Sequence, residues 1–282
     1  MTDLASGIRL TALYVPGSRP ERFDKAVASG ADVVIIDLED AVAPEDKPAA
    51  RAAVEQWYGN AAPTVPVQLR INAFGTPWFD EDVALASRLR GVDVRVPKVE
   101  GAEAIPRLPG TLVCALIETA LGLERAFDIA GIPEVSSIAL GESDLAGDLG
   151  SSSPAVLDWA RIRLVVAARA AGLSAPMMSV YPSIADLGGL EADTVRGAGL
   201  GMIGRSAVHP AQLAPIVRAF RPTAEQLAWA GEVEAALAAK GGATRLSTGA
   251  MVDAAMAAAA ARILALAAAA RSKSNETVTE TI

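Results

Sequence analysis

Short aliphatic runs of strand length recur along the chain, and stretches with helical spacing of apolar residues separate them. The runs cover residues 10–15, 33–38, 67–71, 94–96, 112–117, 137–140, 175–180 and 202–208. Between them the spacing predicts helices over 20–29, 46–58, 80–90, 121–130, 154–171 and 186–198. Eight strands alternating with helices, without a linker or a shift in composition, predict one α/β domain, a (β/α)8 TIM barrel over residues 1–220. An open doubly wound sheet is the alternative, and the strand count disfavours it. After Pro210 the strict alternation stops. Helical patterns over 211–219, 223–239 and 251–270 exceed what an eighth helix needs. They predict a C-terminal helical extension, 221–271, that packs on a neighbouring subunit, and the polar stretch 272–282 reads as a disordered tail.

Composition agrees with a buried parallel sheet. Hydrophobic residues make up 51% of the 282 but aromatics only 4%, so Val, Ile, Leu and Ala must fill the core. The formal charge is -8 and no basic stripe is visible, which excludes a nucleic-acid partner. The single cysteine, Cys114, rules out an internal disulfide and reads as a small buried hydrophobe. Residues 1–10 lack the apolar core of a secretory signal. The stretch 250–270 is long and apolar, yet it is mostly Ala and carries Asp253 and Arg262, so a packed helix is expected rather than a membrane span. A cytoplasmic protein is the expectation.

One motif has to be set aside. Gly199-Leu-Gly201-Met-Ile-Gly204 spells the dinucleotide fingerprint, but it ends a helix and enters a strand. A pyrophosphate site needs the reverse order, so that the N–H groups of a helix start face the phosphates. A helix end followed by a tight turn explains it.

The informative pattern is charge where apolar strands end. The run 33–36 leads into Asp37-Leu-Glu39-Asp40, 67–69 into Arg70-Ile-Asn72 and 94–96 into Pro97-Lys98. The run 112–117 leads into Glu118-Thr119 and 138–140 into Gly141-Glu142-Ser143-Asp144. In a barrel all these ends open on one face, so the groups converge. Each buried charge would cost several kcal/mol, roughly, unless paired or metal-bound. Structural roles exist for them: Asp37, Glu39 and Asp40 could cap a helix, Arg70 and Lys98 could neutralise those acids, and Asp144 could cap a short helix. Three acids in four residues exceed what one cap needs. Carboxylates with no histidine nearby suit a hard cation such as Mg2+, while one histidine and one cysteine cannot supply a zinc set. His209 is expected to make a structural hydrogen bond.

At this point the residues resemble the citrate lyase beta-subunit-like proteins of the HpcH/HpaI aldolase/citrate lyase family. The matching stretches include Leu13-Tyr-Val-Pro-Gly-Ser-Arg-Pro-Glu-Arg22, Asp37-Leu-Glu-Asp-Ala-Val42, Arg70-Ile-Asn72 and Pro97-Lys98. Ile117-Glu-Thr-Ala120, Gly141-Glu-Ser-Asp-Leu145, Val208-His-Pro-Ala-Gln212 and Gly249-Ala-Met-Val-Asp253 follow in order. The resemblance implies a (β/α)8 barrel, a homotrimer, Mg2+ held by Glu118 and Asp144, and a CoA thioester as substrate. It implies that Arg70 holds a substrate oxygen and that Asp253 is supplied by a neighbouring subunit as a catalytic acid or base; the converging strand ends place Asp37, Glu39, Lys98 and Glu118 in the substrate site with them. It also implies a Mg2+-dependent lyase on citryl-, citramalyl-, malyl- or 3-hydroxy-3-methylglutaryl-CoA, which yields an acyl-CoA enolate and a keto product. Small-molecule partners follow, and no membrane.

The sequence departs from the family in two places. The seventh-strand stretch, Ala175-Pro-Met-Met-Ser-Val-Tyr-Pro-Ser183, has no acid until Asp186, where family members commonly carry one. Ala250 stands where a longer polar residue is frequent, and Ala254-Ala-Met256 follows where a proline is common. Two other readings therefore stand beside the lyase: an aldolase acting on free 2-oxo acids, and a non-catalytic paralogue that keeps the metal site.

Overall fold

Parallel strands buried on both faces need β-branched and aliphatic residues without alternation, and such runs form the sheet. The computed structural model describes residues 7–240, 244–246 and 251–279. The strands are β1 (Thr11–Pro16), β2 (Val33–Asp37), β3 (Val67–Arg70), β4 (Asp93–Val96), β5 (Val113–Ile117), β6 (Val135–Leu140) and β7 (Arg205–Ala207). All pair in parallel, in the order β6-β5-β4-β3-β2-β1-β7. The stretch 175–180, expected as a full strand, shrinks to two bridge residues. Met177 pairs with Ala139 of β6 and Met178 with Arg205 of β7, both in parallel. Prolines at 176 and 182 cannot donate to a ladder, which keeps the pairing this short. These two residues join the sheet edges, and the architecture is a TIM barrel.

The outside carries α1 (Phe23–Val27), α2 (Lys47–Asn60), α3 (Phe79–Arg88), α4 (Ala120–Glu124) and α5 (Ala126–Ala130). It continues with α6 (Glu142–Leu149), α7 (Pro154–Ala170), α8 (Leu187–Gly199) and α9 (Leu213–Ala219). The helix expected over 121–130 breaks at Arg125, which has φ -92 and ψ 7. Side chains such as Ile36, Leu69, Leu85 and Ile117 are fully buried between sheet and helices, each contributing about 1.5–3 kcal/mol. Cys114 is buried, as its apolar run implied. The glycine-rich stretch after α8 is a turn: Gly201 has φ +101 and Gly204 φ +75. A Cβ on Gly204 would stand 2.5 Å from Arg9 O. The order is helix, turn, strand, so the dinucleotide spelling carries no phosphate loop.

Beyond the barrel come α10 (Ala224–Lys240), an antiparallel pair β8 (Thr244–Arg245) and β9 (Met251–Val252), and α11 (Ala254–Thr279). Ala230, Val233, Leu246, Val252 and Ala260 make a second small core. The helix expected from 251 starts three residues later, because Met251 and Val252 pair in β9 and Asp253 caps α11. Asp253 Oδ1 accepts from Met256 N at 3.0 Å. Over Ala254–Lys273 this helix is long and apolar enough to cross a membrane by length and composition. It packs against α10 and α9, and Ala270 joins the barrel core. Lys273 ties it to the barrel base, its Nζ 2.9 Å from Asp32 Oδ1. The helix runs on into the polar stretch read as a tail; residues 280–282 and Ala250 lie outside the described residues.

Candidate active site

The C-terminal strand ends open into a cavity of about 480 Å3, walled by Asp37, Arg70, Glu118 and Asp144, with Tyr14 and Arg95 below. A wider depression, which includes Asp128 and Glu134, lies beside the N-terminal end of β6. Of the strand-end charges, Asp37, Asp40, Arg70, Glu118 and Asp144 line the first of these; Glu39 and Lys98 stand behind that lining, and Glu142 turns outward to Arg161.

Asp37 ends β2 and is buried. Its Oδ1 accepts from Glu39 N at 2.9 Å and its Oδ2 from Ala41 N at 3.0 Å. It therefore shapes the 38–41 turn, and the helical segment that follows starts only at Pro44. Arg70, last residue of β3, grips the same carboxylate with both arms: Nε to Oδ1 and Nη2 to Oδ2, each 2.7 Å. Its Nη1 lies 3.0 Å from Glu39 Oε2 and 3.2 Å from Asp40 Oδ2. Burial disfavours the guanidinium's charge, but the Asp37 pairing outweighs it and raises its pKa. Arg70 and Lys98 thus neutralise the acid turn, the structural role the sequence left open for them. From below, Lys47 Nζ donates to the carbonyls of Leu38 and Glu39 at 2.8 and 2.9 Å, and Asn72 Nδ2 to Leu38 O at 3.0 Å.

Lys98 is the only non-glycine among the described residues with a positive φ, 51°. Such a conformation costs about 1–2 kcal/mol. It aims the Lys98 N–H at Glu118 Oε1, 2.8 Å away. Its Nζ lies 3.2 Å from Glu39 Oε1 and 3.6 Å from Asp144 Oδ1. Glu118 directly follows β5 and is only 3% exposed. Gly141 makes room for it, since any Cβ there would collide with Glu118 Oε2 and with its Cβ. Burial, then the neighbouring Glu39 and Asp144, push the Glu118 carboxyl up to about 7. Burial and Asp40 also raise Glu39, against the pull of Arg70 and Lys98. Asp144 sits in the first turn of α6, half exposed to the cavity.

Two expected residues stand apart. Asp253 is exposed, engaged as the cap of α11, and is not among the cavity-lining residues of its own chain. His209 is exposed too, and its Nδ1 accepts from Ala211 N at 3.1 Å, the structural bond expected of it.

Aliphatic-run reasoning passes over Tyr14, Arg95, Ser179 and Ser206, which also line the cavity. The missed signal was parity. Gln68 and Arg70 lie two apart on β3, hence on one face, and the strand register sets Arg70 beside Arg95 and Arg95 beside Cys114. The acid-free seventh-strand stretch offers Ser179 to the cavity. Its Met178 faces buried Arg205 on the outer side, and Arg205 Nε there has no hydrogen-bond partner.

Among the described residues no three acids, histidines or cysteines gather into a ready-made metal cage. Glu118 and Asp144 offer two carboxylates on one wall. That donor set fits Mg2+, which takes one or two protein carboxylates and completes its octahedron with water and substrate oxygens.

Residues 10–210 match the family model for HpcH/HpaI aldolase/citrate lyase. A citrate lyase subunit beta-like protein of Mycobacterium tuberculosis is 38% identical over 249 residues, covering 86% of this chain and 89% of the relative. A (3S)-malyl-CoA thioesterase of Cereibacter sphaeroides is 32% identical over 225 residues, with 77% and 79% covered. Among solved structures, the CitE protein of M. tuberculosis in complex with magnesium, acetoacetate and coenzyme A superposes with a TM-score of 0.80. Its identity is 34%, and the match covers 93% of this chain and 98% of that one. The chain belongs to the HpcH/HpaI aldolase/citrate lyase family.

Proposed function

We propose that this protein is a Mg2+-dependent carbon–carbon lyase that cleaves a 3-hydroxyacyl-CoA into an acyl-CoA and a keto acid. The observation that carries the reading is the excess of carboxylate at the cavity mouth, where Glu118 and Asp144 both line the cavity; burial first, and then Glu39 and Asp144, push the Glu118 carboxyl up to about 7. A divalent cation relieves that excess, and the related CitE structure holds magnesium with coenzyme A. Glu118 and Asp144 would hold the ion, which when bound polarises the carbonyl oxygen that forms as the bond breaks.

In the cleavage direction a base takes the proton of the 3-hydroxyl, the freed O–H pair forms the new C=O, and the C2–C3 bond breaks. The electron pair passes to C2 and the thioester carbonyl, and C2 then takes up a proton. Arg70 lines the cavity with its arms on Asp37 and near Glu39 and Asp40, so it would hold a substrate oxygen by exchanging one of these carboxylates for it. Lys98 keeps the Glu118 carboxylate oriented through its N–H. Asp253 would come from a neighbouring copy, in a trimer, and serve the C2 proton; its cap on α11 engages Oδ1 and leaves Oδ2 without a hydrogen bond among the described residues.

The thioesterase relative supports a second reading, hydrolysis of the thioester after or instead of carbon–carbon cleavage. One screen separates the two. Malyl-, citramalyl- and citryl-CoA are incubated with the protein and Mg2+, and products are identified by mass spectrometry. Acyl-CoA with a keto acid is the expected result; free CoA with the intact hydroxy acid would overturn the lyase reading. Deuterium exchange at C2 of acetyl-CoA, lost in Asp253→Asn by about 100-fold, tests the acid–base assignment.

A further inference from the structure

Below the carboxylates, the barrel interior holds a cation with no counter-ion among the described residues. Arg95 is 4% exposed and yet lines the cavity. Its Nε and Nη2 both donate to Gln68 Oε1, at 3.2 and 3.1 Å. Tyr14 is flanked by two guanidiniums, with Arg70 5.0 Å and Arg95 5.9 Å from its ring centre. The two arginines are register partners on β3 and β4, but their surroundings differ. Asp37, Glu39 and Asp40 all pair with Arg70. No carboxylate among the described residues is bonded to Arg95. Barrel interiors are ordinarily filled by aliphatic side chains, and an unpaired buried cation costs several kcal/mol, roughly. A residue needed only to fill volume here would be Leu or Met.

Depth follows from the register. Arg95 pairs with Cys114, and Glu118 lies four residues further along the chain, about 13 Å at the rise of a strand. For a substrate whose hydroxyl-bearing carbon sits at Glu118 and Asp144, with CoA toward solvent, the remaining substituent of that carbon is the one left to face the deeper part of the cavity, which Arg95 lines. Ser179 and Ser206 add hydroxyls to the same wall.

We infer that Arg95 is a specificity-determining residue: it receives a carboxylate on that downward substituent, so the site selects keto acids with two carboxylates over their monocarboxylic counterparts. The inference rests on the lyase reading for the substrate's orientation, but its test needs no turnover. Pyruvate and freshly dissolved oxaloacetate differ by one carboxylate. Their affinities for the full-length protein with Mg2+ are measured by titration calorimetry. The wild type is expected to bind oxaloacetate more than about ten-fold tighter, as a charge-assisted pair in a dry site allows. In Arg95→Met the ratio should fall to about one, and Arg95→Lys, which keeps the charge but loses the fork, should fall between. A wild type without preference, or a folded Arg95→Met that keeps it, would overturn the assignment. If Arg95→Met does not fold, an unchanged ratio in Arg95→Lys overturns it equally. Failure of cleavage in the product screen with the binding ratio intact would strike the lyase reading and leave Arg95 standing.

Discussion

Two clusters of buried charge lie on either side of the barrel wall, and they are balanced differently. On the outside, Arg161 of α7 is almost fully buried and holds Glu142 at 2.8 and 2.9 Å and Asp193 at 3.1 and 2.9 Å. Asp158 stands 3.5 Å away, and Arg205 adds a 2.7 Å bond to Asp193. Burial works against the Asp193 carboxylate, but its bonds to Arg161 and Arg205 hold it below the usual range. At the mouth, the carboxylates of Asp37, Glu39, Asp40 and Asp144 find, among the described residues, only Arg70 and Lys98 as ion-pair partners, and Glu118 is left with a backbone N–H. Its carboxyl is pushed up to about 7. Buried charge alone is therefore a poor sign of function. A cluster whose signs do not cancel is a better one.

The largest test of this contrast is Glu118→Gln. It keeps an acceptor for the Lys98 N–H but removes the charge. Mg2+-dependent turnover should drop at least about 1000-fold, with no loss of thermal stability. A folded variant with retained turnover would dissolve the distinction between the clusters. Arg161→Met makes the opposite change. It should cost about 3 kcal/mol in urea denaturation, because Glu142 and Asp193 lose their buried partner, while the Mg2+ requirement stays.

The pH response sharpens the same point. Glu118 binds its proton at about 7 in the folded chain, against an ordinary 4.5. Its contribution to stability is therefore whole below about pH 4.5 and is lost as pH rises through about 7. In chelator, the melting temperature should fall between about pH 5 and pH 8 relative to Glu118→Gln, and Mg2+ should remove the difference; parallel curves would count against it. The smallest effect belongs to Lys98→Met. Taking one partly exposed cation from beside Asp144 should tighten Mg2+ binding by about three-fold, and weaker binding in calorimetry would contradict that.

Most of the barrel was legible because its strands are short, aliphatic and bounded by charge. Seven strands lie within two residues of their expected bounds at nearly every end. The charged ends of β2, β3 and β5 did converge on one cavity, since a closed barrel leaves them no other place. The pairing was not legible. Nothing in the spelling says that Arg70 would take Asp37 with both arms, because that depends on the register between β2 and β3. Arg95 was hidden for another reason: flanked by Val94 and Val96, it reads as an interruption of an apolar run until the inward face is known. The seventh strand shrank because its hydrophobicity was right while Pro176 and Pro182 supply no N–H on either side of Met177 and Met178, which leaves two bridge residues. The spelling around Asp253 does not separate chemistry from capping, and within its own chain Asp253 caps α11.

The join at Met177 and Met178 has a consequence for how the molecule yields. Met178 N donates to Gly204 O and Met178 O accepts from Ser206 N, each at 3.0 Å, while toward β6 only the single bridge at Met177 is made. Resistance to opening is thus unequal around the circumference, and heat or denaturant should part the cylinder first along this slit. Its neighbour Ser179 lines the cavity, so the weakest staves of the barrel are also those nearest its contents.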